Sequence, residues 1–182
     1  MTEIITSIDQ TVLESLYAIR DISTVYMLIW ITELGGLVVI SGLTLCIALA
    51  LTLKARFAEL AGLIISVALS AGAVYTIKHL VERARPNETF QAYIETGFSF
   101  PSGHATMALA LYGFIVWLLW RNASTVFWRV ALPTSAVIII GIIGFSRLYL
   151  GLHWASDVLA GFALAGFFVW LGIIVVKRFE RL

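Results

Sequence analysis

A histidine and an aspartate four residues apart, His153 and Asp157, form the pair of side chains in this sequence with the most specific chemistry. Residues at this spacing lie on one face if the segment is helical. A carboxylate bonded to one imidazole nitrogen fixes the tautomer and leaves the lone pair of the other nitrogen free, which makes the histidine a nucleophile. When the pair is considered alone, a satisfied buried His–Asp pair without a catalytic role is an equally good explanation.

Three cationic side chains, Lys78, Arg85 and Arg147, stand near the ends of apolar stretches and are expected at one face of the molecule. Charged groups in such positions are functional by default. The guanidinium fork matches phosphate oxygens and lysine adds a compact charge, so the three cations together predict an anion-binding pocket. For Lys78 or Arg85 alone, a rim that binds lipid headgroups explains the charge equally well.

The segment from Pro101 to His104 places a hydroxyl group and a glycine at the start of another apolar stretch. Free backbone N–H groups and the positive end of the helix dipole make such a place an anion site. Pro101 and Gly103 fix the turn, and Ser102 adds a hydroxyl group. His104 could protonate a departing alkoxide. Taken alone, the segment is better explained as a helix cap with a histidine that bonds to its neighbours.

The elements that must position these side chains are apolar helices. Of the 182 residues, 60% are hydrophobic and 13% are charged, and the mean hydropathy is +0.97. An ordinary soluble domain has about a quarter of its residues charged, so lipid must cover much of this surface. Five stretches reach the roughly 20 apolar residues that a spanning helix needs. They are residues 34–53, 57–77, 103–120, 126–145 and 158–176.

Residues 4–31 precede these spans and carry apolar side chains at mostly three- or four-residue spacing, interrupted by charged residues. This pattern predicts an interfacial amphipathic helix. A sixth, partial passage through residues 26–31 is the alternative. The sequence thus predicts one all-α membrane domain over residues 1–182, with an interfacial segment at 1–33 and a bundle of five or six transmembrane helices at 34–182.

Basic residues collect at one end of the predicted bundle, where the acidic residues are Glu59 and Glu180. Cytoplasmic loops are rich in lysine and arginine, so this end and the C-terminus are predicted to be cytoplasmic. The candidate site residues fall at the opposite end, which is expected to face the periplasm or the cell exterior. The seven basic residues are Lys54, Arg56, Arg121, Arg129, Lys177, Arg178 and Arg181.

Together, the three groups of residues resemble the motifs of the type 2 phosphatidic acid phosphatase superfamily of membrane enzymes. The motifs are Lys-x6-Arg-Pro at 78–86, Pro-Ser-Gly-His at 101–104 and Ser-Arg-x5-His-x3-Asp at 146–157. All eleven fixed positions are present in the right order, and the joint match is too specific for chance. Pro86, Pro101 and Ser146 complete the motifs as structural positions. The matched region covers about residues 75–160.

This resemblance implies a role for each matched polar residue. His153 would attack phosphorus to form a phosphohistidine, Asp157 would orient it, and His104 would protonate the leaving oxygen. The scheme requires no metal and no other cofactor, and the sequence contains no carboxylate cluster suited to magnesium. The remaining positions would hold the phosphate oxygens: Lys78, Arg85, Ser102, Gly103 and Arg147.

The function that the resemblance implies is metal-independent dephosphorylation of a lipid phosphate in a bacterial plasma (inner) membrane. Candidate substrates are undecaprenyl diphosphate, phosphatidylglycerol phosphate, phosphatidic acid and lipid A phosphates, with the prenyl diphosphate slightly favoured by analogy. The alternative within the same fold is a phosphotransferase with a lipid acceptor.

A lipid-binding or scramblase-like protein is the alternative from another class, although binding alone would not require a nucleophile and its orienting carboxylate. The expected partners are the substrate and membrane lipids. The net charge of +1 predicts no nucleic-acid partner, and the sequence indicates no obligate protein partner.

Overall fold

The computed structural model describes residues 2–180, and all regular structure within that range is helical. Two of the long helices each contain one π-helical stretch, at Ile65–Leu69 and Leu109–Gly113. Short 3-10 turns lie at Glu33–Gly35 and Glu88–Phe90. The long helices are α1 (Thr2–Ala18), α2 (Ile22–Thr32), α3 (Leu37–Leu53), α4 (Phe57–Val81), α5 (Gly103–Trp120), α6 (Val126–Tyr149) and α7 (Ala155–Phe179).

Five helical segments within the described residues are long and apolar enough to cross a membrane. In each, only 17–33% of the most apolar 18-residue window is buried inside the protein, so most of these side chains remain for lipid to cover. The predicted all-α membrane bundle is therefore confirmed. The segments are Ile22–Leu53, which joins α2 and α3, then α4, α5, α6 and α7.

The N-terminal region differs from the single amphipathic helix expected over residues 4–31. The helix ends at Ala18, and a new helix begins at Ile22. The Asp21 carboxylate caps α2, because it accepts a hydrogen bond from the Thr24 N–H at 2.9 Å. Helix α2 then continues toward α3 through a 3-10 turn, so residues 22–33 belong to the first candidate span. Only α1 remains as a separate helix before that span.

Helices α4 and α7 approach each other backbone to backbone at a pair of glycines. A Cβ atom on Gly172 would lie 2.6 Å from the Gly62 carbonyl oxygen and 2.5 Å from Ser66 Oγ. Ser66 and Ser70 are fully buried, and each hydroxyl donates to the carbonyl four residues earlier. The small residues Gly62, Ser66 and Ser70 thus form a packing stripe, which allows close helix contact in lipid.

The two ends of the bundle carry different polar groups. At one end, Arg56 and Arg121 pair with Glu59, and Arg121 also pairs with Glu180. The Glu59 carboxylate raises the pKa of Arg56 through a side-chain hydrogen bond. At the other end lie the segment 82–102 and the turn 150–154, which contain or adjoin all three sequence motifs. The helices therefore bring the candidate site residues to one end.

Candidate active site

The turn between α6 and α7 fixes the position of His153. Gly151 has a φ of +69°, and a Cβ atom there would lie 2.0 Å from the Phe90 carbonyl oxygen, so only glycine fits. The Leu152 and His153 N–H groups both donate to the Arg147 carbonyl, at 3.1 and 3.3 Å. Two donors on one carbonyl hold the histidine backbone against the end of α6.

Asp157 lies in the first turn of α7, where its carboxylate meets both the helix cap and His153. Its Oδ2 atom accepts from the Trp154 N–H at 3.0 Å and lies 3.5 Å from His153 Nδ1. Both side chains are buried, His153 to 2% exposure and Asp157 to 0%. The predicted His–Asp pair therefore exists as a buried contact, with Nδ1 on the carboxylate side.

The other ring nitrogen, His153 Nε2, faces Arg85. Arg85 Nη1 lies 3.2 Å from Nε2, and a guanidinium group has only donors, so Nε2 must be the acceptor. The lone pair is then on Nε2 and the proton on Nδ1. Burial, followed by the charges of Arg147 and Arg85, holds the pKa of His153 well below its ordinary value. The imidazole is consequently neutral near pH 7.

Arg85 is held in place mainly by backbone carbonyl groups. Its guanidinium donates to the carbonyls of Leu152 at 2.8 Å and Gly97 at 3.0 Å, and to Glu95 Oε1 at 3.0 Å. Lys78, near the end of α4, donates from Nζ to the Phe98 carbonyl. Lys78 thus holds the segment 82–102 through Phe98, and Arg85 joins the same segment to the turn at Leu152. Neither cation is free to move away from the site.

Arg147 is completely buried at the end of α6. Its Nη1 donates to Thr32 Oγ1 and to the Tyr93 hydroxyl, each at 3.1 Å, and its Nη2 donates to Glu95. Burial acts to raise the pKa of the Glu95 carboxyl, but the charges of Arg147 and Arg85 outweigh it and leave that pKa below its usual value. One ionised carboxylate thus lies between two guanidinium groups.

The start of α5 adds further polar groups to the same region. Ser102 is the N-cap residue, fully buried, and its N–H donates to the Asp157 carbonyl at 3.0 Å. The Ser102 Oγ and Arg147 Nε atoms are buried, and neither has a hydrogen-bond partner among residues 2–180. Buried polar atoms are normally paired, so these two are suited to contact a ligand.

His104 lies in the first turn of α5 and is partly buried. It is close enough to Arg147, Glu95, Arg85 and Lys78 to interact with their charges. Its backbone packs against the 3-10 turn after α2, since a Cβ atom on Gly35 would lie 3.1 Å from the His104 carbonyl oxygen. The ring is therefore part of the same charged cluster.

The charges of this cluster favour an anion. Lys78, Arg85 and Arg147 contribute three positive charges and Glu95 one negative charge, which leaves an excess of two. This excess lies at a largely buried site, where charge interactions are stronger than in water. A cavity of about 410 Å³ opens beside it, lined in part by Arg85 and Glu95. The arrangement is suited to a dianion such as a phosphate monoester.

The remaining residues singled out from the sequence have structural positions. Pro86 and Pro101 are buried beside the site, and the Pro86 carbonyl accepts from Gln91 at 2.8 Å. Ser146 is buried and donates to the Ile143 carbonyl at 2.6 Å, within its own helix. Gly103 begins α5, and a Cβ atom there would touch only Val74, at 4.0 Å.

Sequence reasoning missed several residues of the site. Glu95 contacts two of the predicted cations, and Tyr93 and Thr32 support Arg147. Asp9 of α1 binds Arg83, which in turn binds Asp157. The signal for Glu95 was its place in the loop between the first two motifs, whereas Thr32 and Asp9 have no local signal at all.

No group of three or more His, Cys, Asp or Glu side chains that could hold a metal ion lies within residues 2–180. The carboxylates nearest the site are engaged by arginines: Glu95 by Arg85 and Arg147, and Asp157 by Arg83.

Five candidate spans define an integral membrane protein, and its buried cationic cluster beside a His–Asp pair is suited to an oxyanion. The family model described as the PAP2 superfamily matches residues 59–181 of this chain. The chain therefore belongs to the PAP2 superfamily, and the resemblance drawn from the three motifs is confirmed.

Similar proteins carry the names of lipid phosphatases. Phosphatidylglycerophosphatase B of Bacillus subtilis (strain 168) is 34% identical over 106 residues, which cover 58% of this chain and 50% of that protein. Lipid A 1-phosphatase of Rhizobium etli is 34% identical over 112 residues, which cover 56% of this chain and 44% of that protein. The chain spans about half or less of the length of these curated relatives.

Two solved structures share the fold. The crystal structure of a transmembrane PAP2 type phosphatidylglycerolphosphate phosphatase from Bacillus subtilis has a TM-score of 0.83 and 26% identity, and the match covers 97% of this chain and 86% of that one. The LpxE structure from Aquifex aeolicus has a TM-score of 0.70 at 21% identity, with 92% and 94% covered. The second likeness supports the fold alone.

Proposed function

We propose that this protein hydrolyses a lipid phosphate or diphosphate through a phosphohistidine formed on His153. The observation that carries the proposal is the state of the His153 ring. Nε2 carries an unprotonated lone pair that accepts from Arg85, and Nδ1, which has no hydrogen-bond partner among residues 2–180, lies 3.5 Å from the Asp157 carboxylate. A neutral histidine with one nitrogen oriented by a carboxylate is the arrangement that nucleophilic attack requires.

In the first step, His153 Nε2 attacks phosphorus and the bond from phosphorus to the leaving oxygen breaks. His104 donates a proton to that oxygen, which leaves as the lipid alcohol or, from a diphosphate, as the lipid monophosphate. Asp157 stabilises the positive charge that develops on the His153 ring. Water then attacks the phosphohistidine with His104 as the base, which releases inorganic phosphate and restores the free imidazole.

The phosphate oxygens would be held by the cationic cluster and the start of α5. Lys78, Arg85 and Arg147 supply the charge, and Ser102 Oγ and the Gly103 N–H supply neutral donors. Donors that are already in place where charge develops are worth about 10²–10³ in rate each. Because no step of this scheme uses a metal ion, we expect the activity to persist in the presence of a chelator.

The substrate is proposed to be a membrane lipid whose tail stays in the bilayer while its phosphate enters the site. The names of the relatives favour phosphatidylglycerol phosphate or a lipid A phosphate, whereas analogy with the family slightly favours a prenyl diphosphate. The distribution of basic residues supports a cytoplasmic C-terminus and a site that faces the outer side of a bacterial plasma membrane.

The test is phosphate release by the purified protein in detergent with EDTA, measured across a panel of lipid mono- and diphosphates. We expect His153→Ala to abolish release. His79→Ala is the matched control, since His79 is exposed, bonds to the Tyr75 carbonyl and lies outside the site; it should keep wild-type release. Full activity in His153→Ala would overturn the proposal.

The same assay separates hydrolysis from phosphoryl transfer. If the wild type releases no phosphate from any lipid of the panel, an acceptor lipid is added and a phosphorylated acceptor is sought. Its formation would overturn hydrolysis in favour of the phosphotransferase.

A further inference from the structure

Arg83 bridges two buried carboxylates, although it is not a fixed position of any of the three motifs. Its Nη1 donates to Asp157 Oδ1 at 2.6 Å and to Ser156 Oγ at 2.7 Å, and its Nη2 donates to Asp9 Oδ2 at 2.7 Å. Asp9 and Asp157 are 2% and 0% exposed. The Arg83 guanidinium thus binds Asp157 through Oδ1, whereas Oδ2 is the oxygen that lies near His153 Nδ1.

Asp9 connects this arginine to the N-terminal helix. Its Oδ1 accepts from the Ser156 N–H at 2.9 Å and its Oδ2 from the Ser156 hydroxyl at 2.6 Å. Ser156 lies in the first turn of α7, directly before Asp157. A residue of α1 therefore supports the part of α7 that presents the orienting carboxylate.

The backbone around Arg83 is held just as firmly. Ser99 donates to the Arg83 carbonyl from its N–H at 2.9 Å and to the Ala84 carbonyl from its hydroxyl at 3.1 Å. Trp154 Nε1 also donates to the Ala84 carbonyl, at 3.0 Å, and the Arg83 guanidinium lies 5.6 Å from the centre of the Trp154 ring. These contacts hold the backbone of Arg83 where its guanidinium reaches both carboxylates.

We propose that Arg83, anchored by Asp9, is a positioning residue that keeps the Asp157 carboxylate directed at His153 Nδ1. The proposal rests on the proposed function of the site. Arg83 alone would cancel the charge of Asp157, but two carboxylates and one guanidinium leave a net charge of −1. That remaining negative charge stabilises the positive charge on the His153 ring when Nε2 binds phosphorus.

The test compares steady-state kinetics of Arg83→Gln with those of Arg20→Gln. Removing a group that orients a catalytic residue typically costs about 10–100-fold in activity, so we expect kcat of Arg83→Gln to fall by that factor while KM changes less than about twofold. Arg83→Lys keeps the charge but loses the fork, and should recover part of the loss.

Arg20 is the matched control because it also anchors the N-terminal region. It donates to the carbonyls of Phe90 and Tyr149, both at 2.7 Å, and touches no residue of the His–Asp pair. Arg20→Gln should lower the melting temperature but leave kcat unchanged. An equal fall of kcat in Arg20→Gln and Arg83→Gln would assign the loss to docking of the N-terminus and overturn the proposal.

A double mutant tests whether Arg83 acts through Asp157. If it does, Arg83→Gln added to Asp157→Asn causes no further loss of the residual activity, whereas independent, multiplying losses contradict the proposal. Asp9→Asn keeps the shape of the cluster and removes one charge, so it should lower kcat about tenfold even if Arg83→Gln does not fold. A wild-type kcat in folded Asp9→Asn would also contradict the proposal.

A failure of the proposed role of Arg83 can be distinguished from a failure of the proposed function. A wild type without turnover, or an active His153→Ala, overturns the function itself. A normal wild type and an inactive His153→Ala, together with a folded and fully active Arg83→Gln, overturn only the role of Arg83.

Discussion

At His153, the two ring nitrogens contact groups of opposite charge. Nδ1 faces the Asp157 carboxylate and Nε2 faces the Arg85 guanidinium. The carboxylate favours a proton on Nδ1, and the guanidinium, which can only donate, requires a lone pair on Nε2. Because burial also lowers the pKa of His153, the ring needs no separate base to act as the proposed nucleophile. The neighbours on both sides select one tautomer.

Glu95 is the residue whose removal should change anion binding most directly. Its two oxygens accept from Arg85 and Arg147, the same guanidinium groups that a phosphate would use. We expect Glu95→Gln to lower the inhibition constant of inorganic phosphate about tenfold, since it removes a competing charge-assisted interaction worth about 1.5 kcal/mol. The measurement is inhibition of lipid phosphate hydrolysis by added phosphate.

Glu88→Gln is the control for that measurement, because Glu88 lies in the same loop and is exposed. Its inhibition constant should equal that of the wild type. If phosphate instead inhibits Glu95→Gln more weakly than it inhibits the wild type, Glu95 organises the arginines for binding and does not compete with the anion.

The sequence predicted the candidate site where the residues form local motifs. Asp157 follows His153 by four residues, and Ser102 and His104 share one turn, so spacing alone places them together. Thr32, in contrast, contacts Arg147 across 115 positions of the chain. No periodicity or motif records such a contact, because it depends on how separate helices pack. For the same reason, the contact between Asp9 and Arg83 could be found only in the folded molecule.

At the scale of the helices, the crossing of α4 and α7 sets how closely the bundle packs. A Cβ atom on Gly172 would lie only 2.6 Å from the Gly62 carbonyl oxygen, so the two backbones are in direct contact. In lipid, such packing replaces the hydrophobic effect as the force between helices. Because α4 carries Lys78 and α7 carries Asp157, this crossing also fixes the distance between two parts of the site.

Gly172→Ala should therefore destabilise the protein. The added methyl group must displace the Gly62 backbone as well as the Ser66 hydroxyl, and overpacking of this kind costs about 1–3 kcal/mol. We expect a lower melting temperature in detergent. Gly166→Ala is the control on the same helix, since nothing lies within 4 Å of a Cβ atom at Gly166. That variant should melt at or above the wild-type temperature, because alanine favours helix over glycine.

If both variants melt alike, the crossing does not limit stability and the close approach can relax.

The small-residue stripe on α4 was predictable from the sequence because its members recur every four residues. Its partner, Gly172, was not, since a single glycine on an apolar helix does not indicate which neighbour it faces. The break at residues 19–21 was missed for a related reason: the apolar periodicity continues across it, and only the Asp21 cap ends the pattern.

On the scale of the whole molecule, the charges divide between the two ends of the bundle. The motif end holds the cationic cluster with its nearby carboxylates, and the other end holds arginines paired with Glu59 and Glu180. Basic residues are retained on the cytoplasmic side during membrane insertion. This division predicts that the site faces outward and can reach only lipids of the outer leaflet.

Cysteine labelling in spheroplasts of a bacterial expression host tests this orientation. In a Cys46→Ala background, Glu88→Cys places a thiol in the motif-end loop and Ser124→Cys places one in the turn between α5 and α6; both positions are exposed. A membrane-impermeant maleimide should label Glu88→Cys in intact spheroplasts and Ser124→Cys only after permeabilisation. The reverse pattern would place the His153 site in the cytoplasm, and its substrate would then have to be a lipid phosphate of the inner leaflet.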